Sequence, residues 1–170
     1  MNDLGPLRSF LALEIHRNRP LRRLHLLETK YISKFLAEHG MLSCNPSHMS
    51  ADIHMHLGRK SNPLAEFKAT AADKQAYHSA VGSLMYAILG TRPDLAYAVS
   101  KVSQYRTNQS PTHWTAANRI FRYWAGTANR GLYYGSTGIR GGYTDAHWGS
   151  GGDRRSIGSY AFLLNGAAIS

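Results

Sequence analysis

Carboxylates, histidines and arginines are the side chains of this chain whose types and spacing could do chemistry. Asp145 sits in Gly141-Gly-Tyr-Thr-Asp-Ala-His-Trp148, a segment that reads as a strand. A carboxylate is a hard oxygen ligand, and two-metal phosphoryl-transfer sites need several of them. After Asp145 only Asp153 is acidic, and it falls in an expected turn. One carboxylate cannot hold a metal pair, so Asp145 by itself reads as a strand aspartate without a present task. His147 is expected on the opposite face of that strand, which makes it a poor co-ligand. Asp52, His54 and His56 alternate and could share one side of an extended segment. A zinc site needs a fuller donor set, so a solvated loop is the reading there. Cys44 stands alone, which rules out an intrachain disulfide and gives no argument for secretion.

The arginines point elsewhere. Arg119 and Arg122 lie three apart on an expected helix, with Tyr123 beside them, and residues at that spacing share a face. Lys101, Arg106, Arg154 and Arg155 add to the positive field. Twenty Lys and Arg oppose ten Asp and Glu, a net charge of +10 in 170 residues, which implies an anionic partner or an origin in a protein that had one. Guanidinium groups suit phosphate because their fork donates two hydrogen bonds at once. Trp114, Phe121 and Trp124, at helical spacing, read as core and not as base-stacking groups.

These residues need elements to position them. Residues 8–16 and 23–27 alternate like strands around the turn-forming Arg17-Asn-Arg-Pro20, which predicts a hairpin. Residues 28–39 predict a helix burying Ile32, Phe35 and Leu36, with Gly40 as its stop. From Ser43 to Ala76 no period lasts, and the stretch is read as a linker. Val81, Leu84, Met85, Ile88 and Leu89 predict a helix from Tyr77 to Gly90. Pro93 opens a second helix, with Leu95, Val99 and Val102 buried, and Ser110-Pro111 opens a third that runs to Gly126. The last thirty residues return to strands. The apolar fraction of 43% supports a packed core. No apolar run reaches the roughly 18 residues of a membrane span, and the N-terminus lacks a signal-peptide layout, so a cytoplasmic or nuclear setting without membrane contact is the default.

Tyr77-His-Ser-Ala-Val-Gly-Ser-Leu-Met-Tyr86 and Gly90-Thr-Arg-Pro-Asp-Leu-Ala-Tyr-Ala-Val99 resemble the Pol polyprotein of copia-type LTR retrotransposons. His113-Trp114, Arg119-Ile-Phe-Arg-Tyr123, Gly126-Thr127, Gly142-Tyr-Thr-Asp-Ala-His-Trp148 and Arg154-Arg-Ser156 continue the resemblance in the family's order. It implies an α+β layout: the end of a reverse transcriptase palm over 1–42, with a hairpin and helix, then a linker over 43–76. A three-helix thumb or connection region over 77–138 follows, and the start of an RNase H domain, a truncated sheet, over 139–170. Asp145 would be the first RNase H carboxylate, vestigial here, and a metal ligand only in a complete site.

The resemblance implies Mg²⁺ in the parent enzyme, and no cofactor is expected for this chain. The polymerase's adjacent aspartate pair is absent, since no Asp-Asp occurs in the sequence. The family commonly has Asp-Ala-Asp-Trp where this chain has Asp145-Ala-His147-Trp148, and the stretch after Cys44 matches poorly. The expected reading is a catalytically inactive Pol fragment. The alternative is a sequence-independent module for an RNA–DNA hybrid or duplex, with Lys101, Arg119, Arg122, Tyr123, Arg154 and Arg155 as contacts. Docking on an intact Pol is a third possibility.

Overall fold

The computed structural model describes residues 5–52, 55, 57, 69–135, 138, 140–148 and 156–169. Among them are four α-helices and two antiparallel sheets. The chain divides into two compact units, one of Met1–Leu27 with Gly131–Ser170, the other of Glu28–Arg130. Among the described residues, no helix is long and apolar enough to cross a membrane.

The first unit is built of strands. One sheet holds β1 (Ser9–Phe10), β2 (Leu13–Asn18), β3 (Arg23–Leu27) and β4 (Leu132–Tyr134) in that order. The expected hairpin is the β2–β3 pair, in which His16 faces His25 and Asn18 faces Arg23. The strand expected over 8–16 is broken by a turn at Leu11–Ala12, and β2 runs on through Arg17 and Asn18, which were expected in the turn. β4 lies in a stretch read as part of the helical region. Three residues are too few to show a period, and only its pairing with β3 defines it. Gly131 admits β4 there, because a Cβ at this position would run into the Leu26 carbonyl.

The second sheet holds β5 (Arg140–His147), β6 (Ile157–Leu164) and β7 (Ala167–Ala168), with Asp145 opposite Ser159 and Gly142 opposite Phe162. Asp145 and His147 are two residues apart in one strand, and strand side chains alternate with period two. Their positions therefore share a face, which overturns the expectation that they point apart. Tyr134 Oη donates to the Ala168 carbonyl at 2.7 Å, and the Gly135 N–H donates to the Asn165 carbonyl at 2.9 Å.

The second unit is helical: α1 (Thr29–Glu38), α2 (Ala71–Gly90), a 3₁₀ turn (Pro93–Leu95), α3 (Ala96–Ser103) and α4 (Pro111–Gly126). Ile32, Phe35 and Leu36 of α1 join Tyr77, Val81, Leu84, Leu95, Val99, Ile120, Phe121 and Trp124 in one buried core. So α1 belongs to the helical unit and shares its core.

α2 starts six residues earlier than its apolar period suggests. Thr70 and Asp73 form a reciprocal capping box, each side chain taking the other's backbone N–H at 3.1 and 3.0 Å. α4 starts with a box of the same kind in which His113 stands at the position of the usual Glu, its Nδ1 accepting the Ser110 N–H at 2.9 Å. That fixes the neutral tautomer, and burial lowers the His113 pKa. Residues 43–76 are not a free spacer where described: Ala51, Met55 and Leu57 pack on the helical core.

Two hairpins of the first unit close on two-residue turns with positive φ at both positions. In β6–β7 these are Asn165 (52°) and Gly166 (94°); in β1–β2 they are Leu11 (47°) and Ala12 (62°). Asn-Gly is the pair such turns prefer, whereas Leu and Ala each hold a left-handed backbone that costs roughly 1–2 kcal/mol. Ala12→Gly is expected to raise stability by about 1 kcal/mol. Gly166→Ala is expected to lower it by a similar amount, although a Cβ there would meet nothing within 4 Å. Urea-unfolding midpoints of the two variants check both, and equal shifts of one sign would contradict this account of the turns.

Candidate functional site

The cationic face read from the sequence lies on α4, and the helix does bring its members together. Arg119, Arg122 and Tyr123 occupy neighbouring positions at spacings of three and four. One nitrogen of each arginine already has an acceptor within the chain. Arg119 Nη2 lies 3.1 Å from Asp52 Oδ2, with both side chains about one-third exposed. Arg122 Nε donates to the Asn45 carbonyl at 2.6 Å, and the Arg122 carbonyl accepts the Ser47 N–H at 3.2 Å. Pro46 sits against Gly126, one turn further on. The segment 45–52 is thus strapped along this face of α4, and Asp52, read as part of an alternating Asp-His-His loop, anchors it. His54 and His56 lie outside the described residues.

Tyr123 belongs to a second network. Arg92 is almost wholly buried and donates to Asp94 Oδ1 and Oδ2, both at 2.9 Å, to the Thr127 carbonyl at 3.0 Å and to Thr127 Oγ1 at 2.7 Å. Tyr123 Oη donates to Asp94 Oδ2 at 3.0 Å, the Arg92 guanidinium lies 5.7 Å from the Tyr123 ring centre, and Arg130 Nη1 reaches Tyr123 Oη at 3.4 Å. Burial alone would raise the Asp94 pKa. The hydrogen bonds and charge of Arg92, with the Tyr123 hydroxyl, outweigh it and hold the carboxyl below its usual range. Lys101, in the last turn of α3, lies 5.5 Å from the Tyr97 ring centre. Arg154 and Arg155 lie outside the described residues.

Asp145 is exposed on β5 in the other unit. The one further carboxylate described in that unit is Glu14, on β2 of the other sheet. Among the described residues, no three His, Cys, Asp or Glu side chains are grouped to hold a metal ion. A two-metal nuclease centre needs several convergent oxygen ligands, and the described residues do not fit one.

One cluster escaped the sequence reading. Arg17, Arg19, Arg22 and Arg23 are all exposed at the tip of the β2–β3 hairpin, which Asn18 Oδ1 tightens by accepting the Leu21 N–H at 3.0 Å. Next to them, His16, His25 and Tyr133 form a row across β2, β3 and β4, with ring centres 6.5 and 5.9 Å apart. The signal was the run Arg17-Asn-Arg-Pro-Leu-Arg-Arg23, read for its turn residues and not for its charge.

Comparison with known proteins supplies relatives. The chain is 40% identical over 172 residues to a retrovirus-related Pol polyprotein from transposon TNT 1-94 of Nicotiana tabacum, across 100% of this chain and 13% of that protein. It is 34% identical over 165 residues to the Pol polyprotein from transposon RE2 of Arabidopsis thaliana, across 93% of this chain and 11% of that protein. Over 97 residues it is 45% identical to the secreted RxLR effector protein 161 of Plasmopara viticola, 55% of this chain and 68% of that protein. The chain thus spans only a small part of the Pol polyproteins it matches. No protein-family model matches the chain, and no solved structure does.

The two arginine roles separate by energy. Arg92→Ala removes four hydrogen bonds and the cation that neutralises the partly buried Asp94, which keeps the Tyr123 hydroxyl, and the expected loss is about 3 kcal/mol. Arg119→Ala breaks a partly exposed pair, and the expected loss is about 0.5 kcal/mol. Chemical denaturation of both variants tests the ranking, which the reverse order would refute.

Proposed function

This chain belongs to the family of retrovirus-related Pol polyproteins of copia-type transposons, and on that premise we propose that it corresponds to the end of reverse transcriptase, residues 1 to about 138, followed by the start of RNase H. We infer that these 170 residues have no polymerase or nuclease activity of their own. The observation that carries this is the sparse carboxylate chemistry. The sequence has no adjacent aspartate pair, and Asp145 has no second described carboxylate on its sheet. The Mg²⁺ of the parent enzyme would find too few oxygen ligands here to counter the charge on a transferring phosphate. The test is an RNA–DNA hybrid incubated with Mg²⁺ or Mn²⁺. Cleavage above that of an Asp145→Asn control would refute inactivity; equal, background-level rates are expected.

A second reading has its own observation. The four exposed arginines of the β2–β3 hairpin, in a chain of net charge +10, favour a sequence-independent nucleic-acid-binding module. The α4 pair contributes less to it than their spacing suggests, because Asp52 offsets the Arg119 charge and the Asn45 carbonyl takes one Arg122 donor. Hybrid binding is expected to fall with salt, the B-form duplex slope being about 0.9 log units of affinity per log unit of salt for each neutralised phosphate. Replacing Arg17, Arg19, Arg22 and Arg23 by Ala should weaken binding more, and flatten the salt slope more, than replacing Arg119 and Arg122. Fluorescence anisotropy with a labelled hybrid measures both, and no binding at low salt removes this reading.

A further inference from the structure

Glu28 immediately precedes α1 and is fully buried. Its Oε2 accepts a hydrogen bond from Thr91 Oγ1 at 2.9 Å, and its Oε1 has no hydrogen-bond partner within the protein. The carboxyl is wedged so closely against Gly90 that a Cβ there would collide with Oε1. Gly90 ends α2 and Thr91 caps it, so the carboxyl sits at the helix end that carries partial negative charge. The cation that acts on Glu28 is Arg92, and its guanidinium is committed to Asp94 and Thr127. An ionised carboxylate here would be a buried anion with only the neutral donors of Thr91 to hold it, a costly state that a proton relieves.

We propose that Glu28 is a proton-carrying latch: a neutral carboxyl between the start of α1 and the end of α2 that holds α1 on the helical core and weakens that hold when it ionises. The groups acting on it are few. Thr91 and Arg92, beyond α2, favour the anion; Tyr31, on α1, has its own pKa raised by burial and stays neutral through this range. Burial outweighs Thr91 and Arg92 and pushes the Glu28 carboxyl up to about 7 from 4.5. The sign follows from proton binding. The docked form holds its proton to higher pH than the open form, so the latch acts in full below about 4.5 and is lost as pH rises through about 7. His113 gives the opposite slope. Burial lowers its pKa, so acid works against its neutral form, and that slope is common to wild type and a Glu28 variant.

The test is amide hydrogen exchange in α1, corrected for intrinsic rates, from about pH 5 to about pH 8 in wild type and Glu28→Gln. In wild type the opening constant of α1 should rise by up to about tenfold per pH unit and level off above about 7. In Glu28→Gln the rise should be absent. Parallel profiles overturn the proposal. A carboxyl ¹³C titration of Glu28 in the wild-type chain gives an answer even if the variant does not fold. A midpoint near 7 is expected, and one near the usual 4.5 overturns the latch.

Discussion

A guanidinium that leaves water must find its hydrogen bonds in protein, and Arg92 sets the terms for the helical unit. It holds the last turn of α4, through Thr127, to the turn that follows α2, through Asp94. With those ends fixed, α4 presents Ile120, Phe121 and Trp124 to the core. Tyr123 lies at the edge of the clasp, held by Asp94. The short sequence Thr91-Arg-Pro-Asp94 does several tasks at once: Thr91 meets Glu28, Arg92 meets Thr127, Pro93 opens the 3₁₀ turn, and Asp94 neutralises the guanidinium.

The same economy runs through the outer face of α4. Arginines spaced for a shared face were candidates for an external anion, yet the chain supplies its own acceptors. Asp52 and the Asn45 carbonyl, with the Ser47 N–H on the Arg122 carbonyl and Ala51 on the core, hold the strap in place. Net positive charge is therefore a poor guide to which arginines are available to a partner. The hairpin tip, with four exposed arginines in seven residues, keeps more of its charge open to solvent.

Local signals were legible and long-range ones were not. Periodicity located core residues of α1, α3 and α4, but in α2 only Val81 and Leu84 of the five apolar positions expected are core. Met85 and Leu89 are exposed and Ile88 is half-buried, while Tyr77, Ala80 and Ala87 complete the buried face. Turn chemistry located the β2–β3 hairpin. The start of α2 was missed because its first turn is polar; the Thr70–Asp73 box was the readable signal there. β4 was missed because its pairing partner lies more than a hundred residues earlier. The shared strand face of Asp145 and His147 was available from period-two alternation and was misread. The Arg119–Asp52 pair and the Glu28 pocket depend on approaches across 67 and 63 residues of chain, which spacing does not encode. The family resemblance was legible because it rests on many short motifs in fixed order, and it extends across the whole chain in the relatives.

The two tight turns of the strand unit differ in what they cost as the chain folds. Asn165-Gly166 populates its bend before any strand forms, so β6 and β7 can meet through local contacts alone. Leu11-Ala12 does not populate its bend unaided, and β1 contributes only two residues to offset the strain. Pairing of β1 therefore carries a strain that the β6–β7 turn does not, and β1 is expected to open at a free-energy cost well below that of global unfolding.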